Sequence, residues 1–433
     1  MYSAIHNCII NYLFIKYIMS SLLVAWSTWF IFALFYAYQF IERIVPNVVL
    51  EDIVTKYDID ANQVGQFAGI YYVGYVTMHI PLGIILEHFS AKKVIPICII
   101  IAVIGFTPLV YSDSFKIAYY GRFLIGLGSA GSTVGAFRLL RSGFGEDRFP
   151  KMLGLMVTFG LLGAIFGSGP LSQIVLSIGW IKTLNYIIIF GLILALFSYF
   201  VIPDTHSDSK FTFQTVKNDF RYLLLNKKII LVSILGGFMI GPLEGFTDMW
   251  SNKYLTIVFK ISNKNAGNIT QLVYVGMAIG LTIMGYLFEK TKSYYVLLLM
   301  SCILMLISFT SITLPLTQNM LILKIMYFVM GFSCAYQVLI ISKATSLAQG
   351  QHLTFISAIA NMIMMGFGYL IHLAIGKLLN YFSNSTINGV GNKIYTSSNL
   401  NHALSIIPLC LIVSIIGLTF LMVTEKRNKK MIA

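Results

Sequence analysis

Long apolar stretches bounded by charged or turn-forming residues recur along the chain. Their cores lie at about 22–46, 64–86, 94–111, 118–140, 152–176, 180–202, 229–252, 267–288, 293–314, 320–343, 353–379 and 403–424. A helix crosses the hydrocarbon core with about 20 apolar residues, so the pattern predicts twelve spanning helices. Runs such as VIPICIIIAVIGF, from Val94 to Phe106, exclude membrane β-strands, which alternate polar and apolar positions. Composition agrees: 57% of the 433 residues are hydrophobic and 11% are charged, against roughly a quarter charged in soluble domains. The chain reads as an all-α membrane protein, and nucleic-acid binding is excluded as the meaning of its net charge of +14.

The basic excess instead reports topology. Nineteen Lys and Arg fall on one side of the spans and ten on the other, with Arg43 inside the first span. By the positive-inside rule the richer side is cytoplasmic, which puts both termini in the cytoplasm of a multi-pass inner-membrane protein. Residues 1–21 lack the basic start and small-residue cleavage site of a secretory signal and read as an N-terminal extension, with Met19 as an alternative start. The charged stretch 203–228 reads as a cytoplasmic linker between six-helix bundles at 22–202 and 229–424, and 425–433 as a cytoplasmic tail. The polar stretch 383–401 reads as an outer loop. Five cysteines are scattered singly, so neither a disulfide framework nor a metal site is expected. Without a phosphate loop or nucleotide fingerprint, no cofactor is expected and ATP-driven pumping has no local support.

The chain also matches itself at an offset of 202 residues: Glu42 falls on Glu244, Ile59 on Ile261, Gly65 on Gly267, and Tyr72-Val73-Gly74 on Tyr274-Val275-Gly276. Gly83 falls on Gly285 and Glu87 on Glu289. An offset of six spans makes the repeats parallel, related by an axis along the membrane normal, an arrangement found in transporters that rock around a central site.

After the second span comes GIILEHFSAKK, Gly83 to Lys93, and after the eighth GYLFEKTK, Gly285 to Lys292. Both resemble the signature cytoplasmic loop of the major facilitator superfamily, G-x-x-x-D-R-x-G-R-K, with Glu for Asp, His88 for Arg and Ser90 for Gly in the first copy. The resemblance implies a gating loop: Gly83 and Gly285 permit close helix contact, while Glu87 and Glu289, with Lys92 and Lys93, latch one conformation. The fourth span begins GRFLIGLG, from Gly121 to Gly128, which resembles a second superfamily pattern. The glycines of the fifth span, Gly160, Gly163, Gly167 and Gly169, with Pro170, are similar to an antiporter-associated pattern, but read first as helix packing, since small residues spaced by four are common at membrane helix interfaces. The implied fold is two pseudo-symmetric six-helix bundles.

Ionisable residues inside spans are costly and tend to face a cavity. In the first span FYAYQFIERIVPN places Tyr36, Gln39 and Arg43 on one helical face. Neighbouring residues diverge by about 100°, so Arg43 can face a substrate while Glu42 contacts another helix. The alternative is a pair snorkelling at the end of the span. The seventh span reads GPLEGFTDMW, with Gly241, Glu244 and Asp248 on one face. An acid-arginine dipeptide in the first span resembles anion:cation symporters and organophosphate antiporters, but no second arginine stands in the seventh span. Two carboxylates opposite one arginine suit a zwitterion or cation better than a phosphate dianion. Tyr336 and Gln337 in the tenth span, Gln271 and Tyr274 in the eighth and Asn361 in the eleventh are further cavity candidates, and interhelical hydrogen bonding explains each equally well. Tyr71, Tyr75 and His79 share a face of the second span, where a histidine bonded to a neighbour and a proton relay are both open.

Together these stretches resemble the phagosomal transporters of intracellular bacteria, which import amino acids or nucleosides. The expected function is proton-coupled uptake of a small polar metabolite, an amino acid first, by a monomer in the lipid bilayer. Substrate contacts are assigned to Tyr36, Gln39, Arg43, Glu244, Asp248, Tyr336 and Gln337, and proton coupling to Glu42, Glu244 and Asp248. Nucleoside, organic-anion or sugar-phosphate transport and a non-transporting sensor are the alternatives. An enzyme is disfavoured, because no nucleophile, base and orienting group can be assembled.

Overall fold

The computed structural model describes residues 2–145, 148–204, 213–314, 319–348, 353–383 and 395–432. Parts of the expected linker (205–212) and of the outer loop (384–394) therefore lie outside the described residues. Among those described there are helices and no strands. The first half comprises α1 (Tyr2–Val48), the short α2 (Leu50–Tyr57), α3 (Ala61–His88), α4 (Ala91–Tyr111), α5 (Phe115–Phe144), α6 (Phe149–Ile178) and α7 (Trp180–Val201). An amphipathic α8 (Phe213–Leu225) leads to α9 (Lys227–Phe238), a π-helical turn (Gly241–Thr247) and α10 (Ser251–Val258). Then follow α11 (Asn263–Thr291), α12 (Tyr294–Thr313), α13 (Met320–Cys334), α14 (Tyr336–Ser346), α15 (Leu353–Ser383), α16 (Ser397–Leu404) and α17 (Ile406–Ile432).

Among the described residues eleven helices are long and apolar enough to cross a membrane, with α13–α14 and α16–α17 each counting as one. The seventh span is broken: α9 and the π-helical turn meet at 43°. Pro242 explains the break, since it offers no N–H to the preceding turn and crowds it. Large apolar side chains such as Leu192, Ile193, Phe197 and Phe200 stand exposed on α7, as a lipid-facing surface requires.

Packing recurs at the repeat offset. In the first half α3 packs on α5 and α4 on α7; in the second α11 packs on α13 and α12 on α17. A Cβ on Gly74 would strike the carbonyl of Phe123, and one on Gly276 the carbonyl of Phe328, so glycine at both repeat-equivalent sites lets backbones touch. The N-cap of α3 is a reciprocal capping box between Asp60 and Gln63, which fixes where the second span starts.

The halves meet through α3 with α15 and α6 with α11. These contacts are tight at the ends near Ala61 and Asn263: Gly65 lies against the carbonyl of His372, and Gly267 against Ser168 and Ser172. At the other ends of α3 and α11, Gly83 and Gly285 have nothing within 4 Å of where a Cβ would sit. The close helix contact expected of these two glycines is thus absent in this conformation. The reason is geometric: the halves have separated on the face that carries the turns at Phe89–Ser90 and Lys292–Ser293, here termed the terminal face, and have closed on the opposite, far face.

Candidate functional site

The separation creates a cavity of about 620 Å³ between the halves. Its mouth is lined by Arg141, Lys151, Thr345 and Ser357 at the terminal-face ends of their helices, and its inner end by Tyr36, Gln39, Arg43, Tyr71, Tyr75, Glu244, Gln337 and Asn361. Two local irregularities aim the charged groups. On α1, Pro46 removes the N–H that would bond the carbonyl of Glu42. Arg122 from α5 supplies donors instead, through Nη1 to Glu42 O at 2.6 Å and Nη2 to Arg43 O at 2.7 Å. On the seventh span, Asp248 N bonds back to Leu243 O, and Thr247 Oγ1 to Pro242 O. The widened turn directs Glu244 into the cavity and sets Asp248 behind it. A π-bulge is a common device for re-aiming side chains at functional sites.

Arg43 Nε lies 2.9 Å from Asp248 Oδ2, joining the two halves through a buried ion pair. Asp248 also accepts from Tyr72 at Oδ2, 2.8 Å, and from Tyr274 at Oδ1, 2.7 Å. Glu244 accepts from Gln337 Nε2 at 2.8 Å through Oε1. Glu244 Oε2 and Arg43 Nη2 are buried with no hydrogen-bond partner among the described residues. A donor and an acceptor, each costly to leave unmade, thus belong to two residues that line one cavity. Tyr71 donates to Gln39 Oε1 at 2.8 Å, and the Tyr75 hydroxyl is 2.8 Å from Thr133 Oγ1. The inner end is therefore a ring of tyrosines and amides around one acid and one guanidinium.

A family model for the Major Facilitator Superfamily matches residues 18–372. The chain belongs to that superfamily. It is a transporter of the fold, not an enzyme. Among solved structures it is similar to a bacterial homologue of the human lysosomal transporter Spinster, in an inward-facing and unoccupied conformation, with 18% identity, TM-score 0.70 and 92% of this chain and 95% of that one covered. It is also similar to the nucleoside transporter NupG (14% identity, TM-score 0.71, 92% and 99% covered) and to a D-xylose-proton symporter (13%, 0.69, 90% and 97%). At such identities the likeness is one of fold. By sequence alone, no characterised protein matches the chain.

Of the substrate residues assigned from the sequence, this transporter brings Tyr36, Gln39, Arg43, Glu244 and Gln337 to the cavity. Asp248 does not line it and connects to it through Arg43 and Tyr72. Tyr336 does not line it, because its hydroxyl donates to Gly236 O at 2.9 Å inside the second half. Glu42 is fully buried on the side of α1 away from the cavity, beside the Tyr38 hydroxyl, with neither oxygen in hydrogen-bonding geometry. In the gating loops Glu289 is exposed and Lys92 Nζ lies 5.4 Å from the Tyr199 ring; Lys93 is exposed and the Glu87 side chain lies outside the described residues. The fifth-span glycines pack: Gly160 against the Tyr36 ring and Gly163 against Ala37. His79 Nδ1 is 2.8 Å from Tyr75 O, the bonded arrangement rather than an exposed relay.

Three residues at the site were not assigned from the sequence. Tyr72 lies inside the repeated Tyr-Val-Gly, which reads as scaffold; the repeat was its signal, since its equivalent Tyr274 is a cavity candidate that instead donates to Asp248. Arg122 was noted only as part of a motif, although a lone arginine within an apolar run is itself a flag. His372, buried with its ring 5.7 Å from that of Tyr72, carried no pattern at all.

Proposed function

We propose that this transporter carries a small polar metabolite across the cell inner membrane by proton-coupled alternating access, with an amino acid as the leading substrate class. The reading rests on one observation: Arg43 and Glu244, a cation and an anion from opposite halves, line the same cavity, and Arg43 Nη2 and Glu244 Oε2 have no hydrogen-bond partner among the described residues. A guanidinium matches a carboxylate, and a carboxylate attracts an ammonium group, so a zwitterion would draw the halves together around itself. Residues 22–202 and 229–424 act as the two rocking bodies, 203–228 links them, and the termini face the cytoplasm of a monomeric protein. Glu244 is the favoured proton site, since it lines the cavity and Glu42 and Asp248 do not.

A second reading, nucleoside transport, draws support from Tyr36, Tyr71 and Tyr75 with Gln39 and Gln337, which could stack on and bond an uncharged base. It also leaves the Arg43–Asp248 pair undisturbed. Uptake into proteoliposomes from a pooled panel of labelled amino acids, nucleosides, sugar phosphates and dicarboxylates, in wild type and Arg43→Lys, separates the two. Lysine keeps the charge and loses the fork. Amino-acid uptake that Arg43→Lys weakens supports the zwitterion; nucleoside uptake indifferent to it rejects that reading in favour of the second.

A further inference from the structure

The break in the seventh span strands backbone groups on both sides: the carbonyl of Thr247, at the end of the π-helical turn, and the N–H of Asn252, in the first turn of α10. One side chain from the other half takes both. Asn47 Nδ2 donates to Thr247 O at 3.0 Å, and Asn47 Oδ1 accepts from Asn252 N at 3.1 Å. An amide can do this because it carries a donor and an acceptor on one plane; a carboxylate only accepts. Asn47 is buried and stands one helical turn beyond Arg43, while Thr247 precedes Asp248. The ion pair and the amide bridge are therefore successive connections between the same two spans. Further out, Lys253 Nζ meets Glu51 Oε1 at 2.6 Å, but the Glu51 side chain is 58% exposed, so that pair contributes little.

We propose that Asn47 is the positioning residue that keeps the far face closed and ties that closure to Arg43. Release of Arg43 from Asp248 is passed along one turn of α1 to a bridge with no slack, and the far face parts when that bridge breaks. This rests on the alternating-access reading above, but its test needs no solute.

The full chain, reconstituted with spin labels at Thr55→Cys and Lys264→Cys on the two sides of the far face, reports the distance by pulsed electron resonance. With Asn47 present the short distance dominates. Asn47→Ala strands two buried groups and should raise the ratio of long to short distances about tenfold. Asn47→Asp should raise it at least as far, because a carboxylate then meets the Thr247 carbonyl. Glu51→Ala should change it by about twofold or less. Asp248→Asn should open the far face when Asn47 is present and add less than about twofold in Asn47→Ala. Asn47→Ser gives a shift in the same direction if the alanine variant does not fold. Unchanged distances in both Asn47→Ala and Asn47→Ser, or an equal shift in Glu51→Ala, would overturn the proposal. One distance in every variant would also remove alternating access, whereas a wrong solute class leaves these distances as they are.

Discussion

Tyr72 and Tyr274, equivalent residues of the two repeats, donate to opposite oxygens of the same carboxylate, Asp248. One reaches it from α3 in the first half and the other from α11 in the second. The acid that pairs with Arg43 is thereby held between the halves by a symmetric pair of hydroxyls. Removing either hydroxyl should cost about 1.5–3 kcal/mol, the range for a hydrogen bond to a charged group. Thermal unfolding of Tyr72→Phe and Tyr274→Phe measures it, and in an Asp248→Asn background each should cost about 1 kcal/mol or less. Equal costs in both backgrounds would remove Asp248 as their shared partner.

The Arg43–Asp248 pair is buried, so breaking it from one side should hurt more than deleting it. Asp248→Asn or Arg43→Gln alone leaves an unmatched charge and should destabilise by about 3–5 kcal/mol. The double variant should recover part of that loss in a denaturation series. Additive losses would mean the two groups do not interact.

Glu244→Gln should abolish gradient-driven accumulation in proteoliposomes and weaken solute counterflow, because the amide still accepts from Gln337 but can neither exchange a proton nor attract an ammonium group. Glu42→Gln, run beside it, should retain accumulation. The reverse result would return coupling to the first span.

Arg122 and Pro46 should be coupled without touching. Arg122→Gln loses the donors to Glu42 O and Arg43 O. Pro46→Ala restores a backbone N–H for the Glu42 carbonyl, so Arg122→Gln should cost about 1 kcal/mol less in that background. A cycle with no interaction term would show that Arg122 serves something other than the proline gap.

The paired glycines offer a contrast in one scaffold. Gly74→Ala and Gly276→Ala force a methyl into backbone contacts and should each destabilise by about 1–3 kcal/mol. Gly83→Ala and Gly285→Ala meet open space and should leave stability unchanged, yet slow transport if these sites close in the other conformation. Unfolding temperatures and initial uptake rates distinguish the two pairs.

What the sequence settled is what periodicity and cost enforce. A span must be apolar over its whole length, so helix number and approximate bounds were legible. A charge inside it must have a use, so Arg43, Glu244 and Asp248 stood out. The 202-residue identities marked Tyr72 and Tyr274 as equivalent, but equivalence does not tell where two hydroxyls point. Their meeting at Asp248, the sequestering of Glu42 behind α1, and the turning of Tyr336 towards Gly236 depend on helix rotation. Rotation is set by backbone irregularities, at Pro46 and in the turn after Gly241, and by partners hundreds of residues away. Whether the halves part beside Gly83 and Gly285 or at the opposite ends of α3 and α11 was likewise invisible, because one sequence serves both conformations and only the packed halves choose between them.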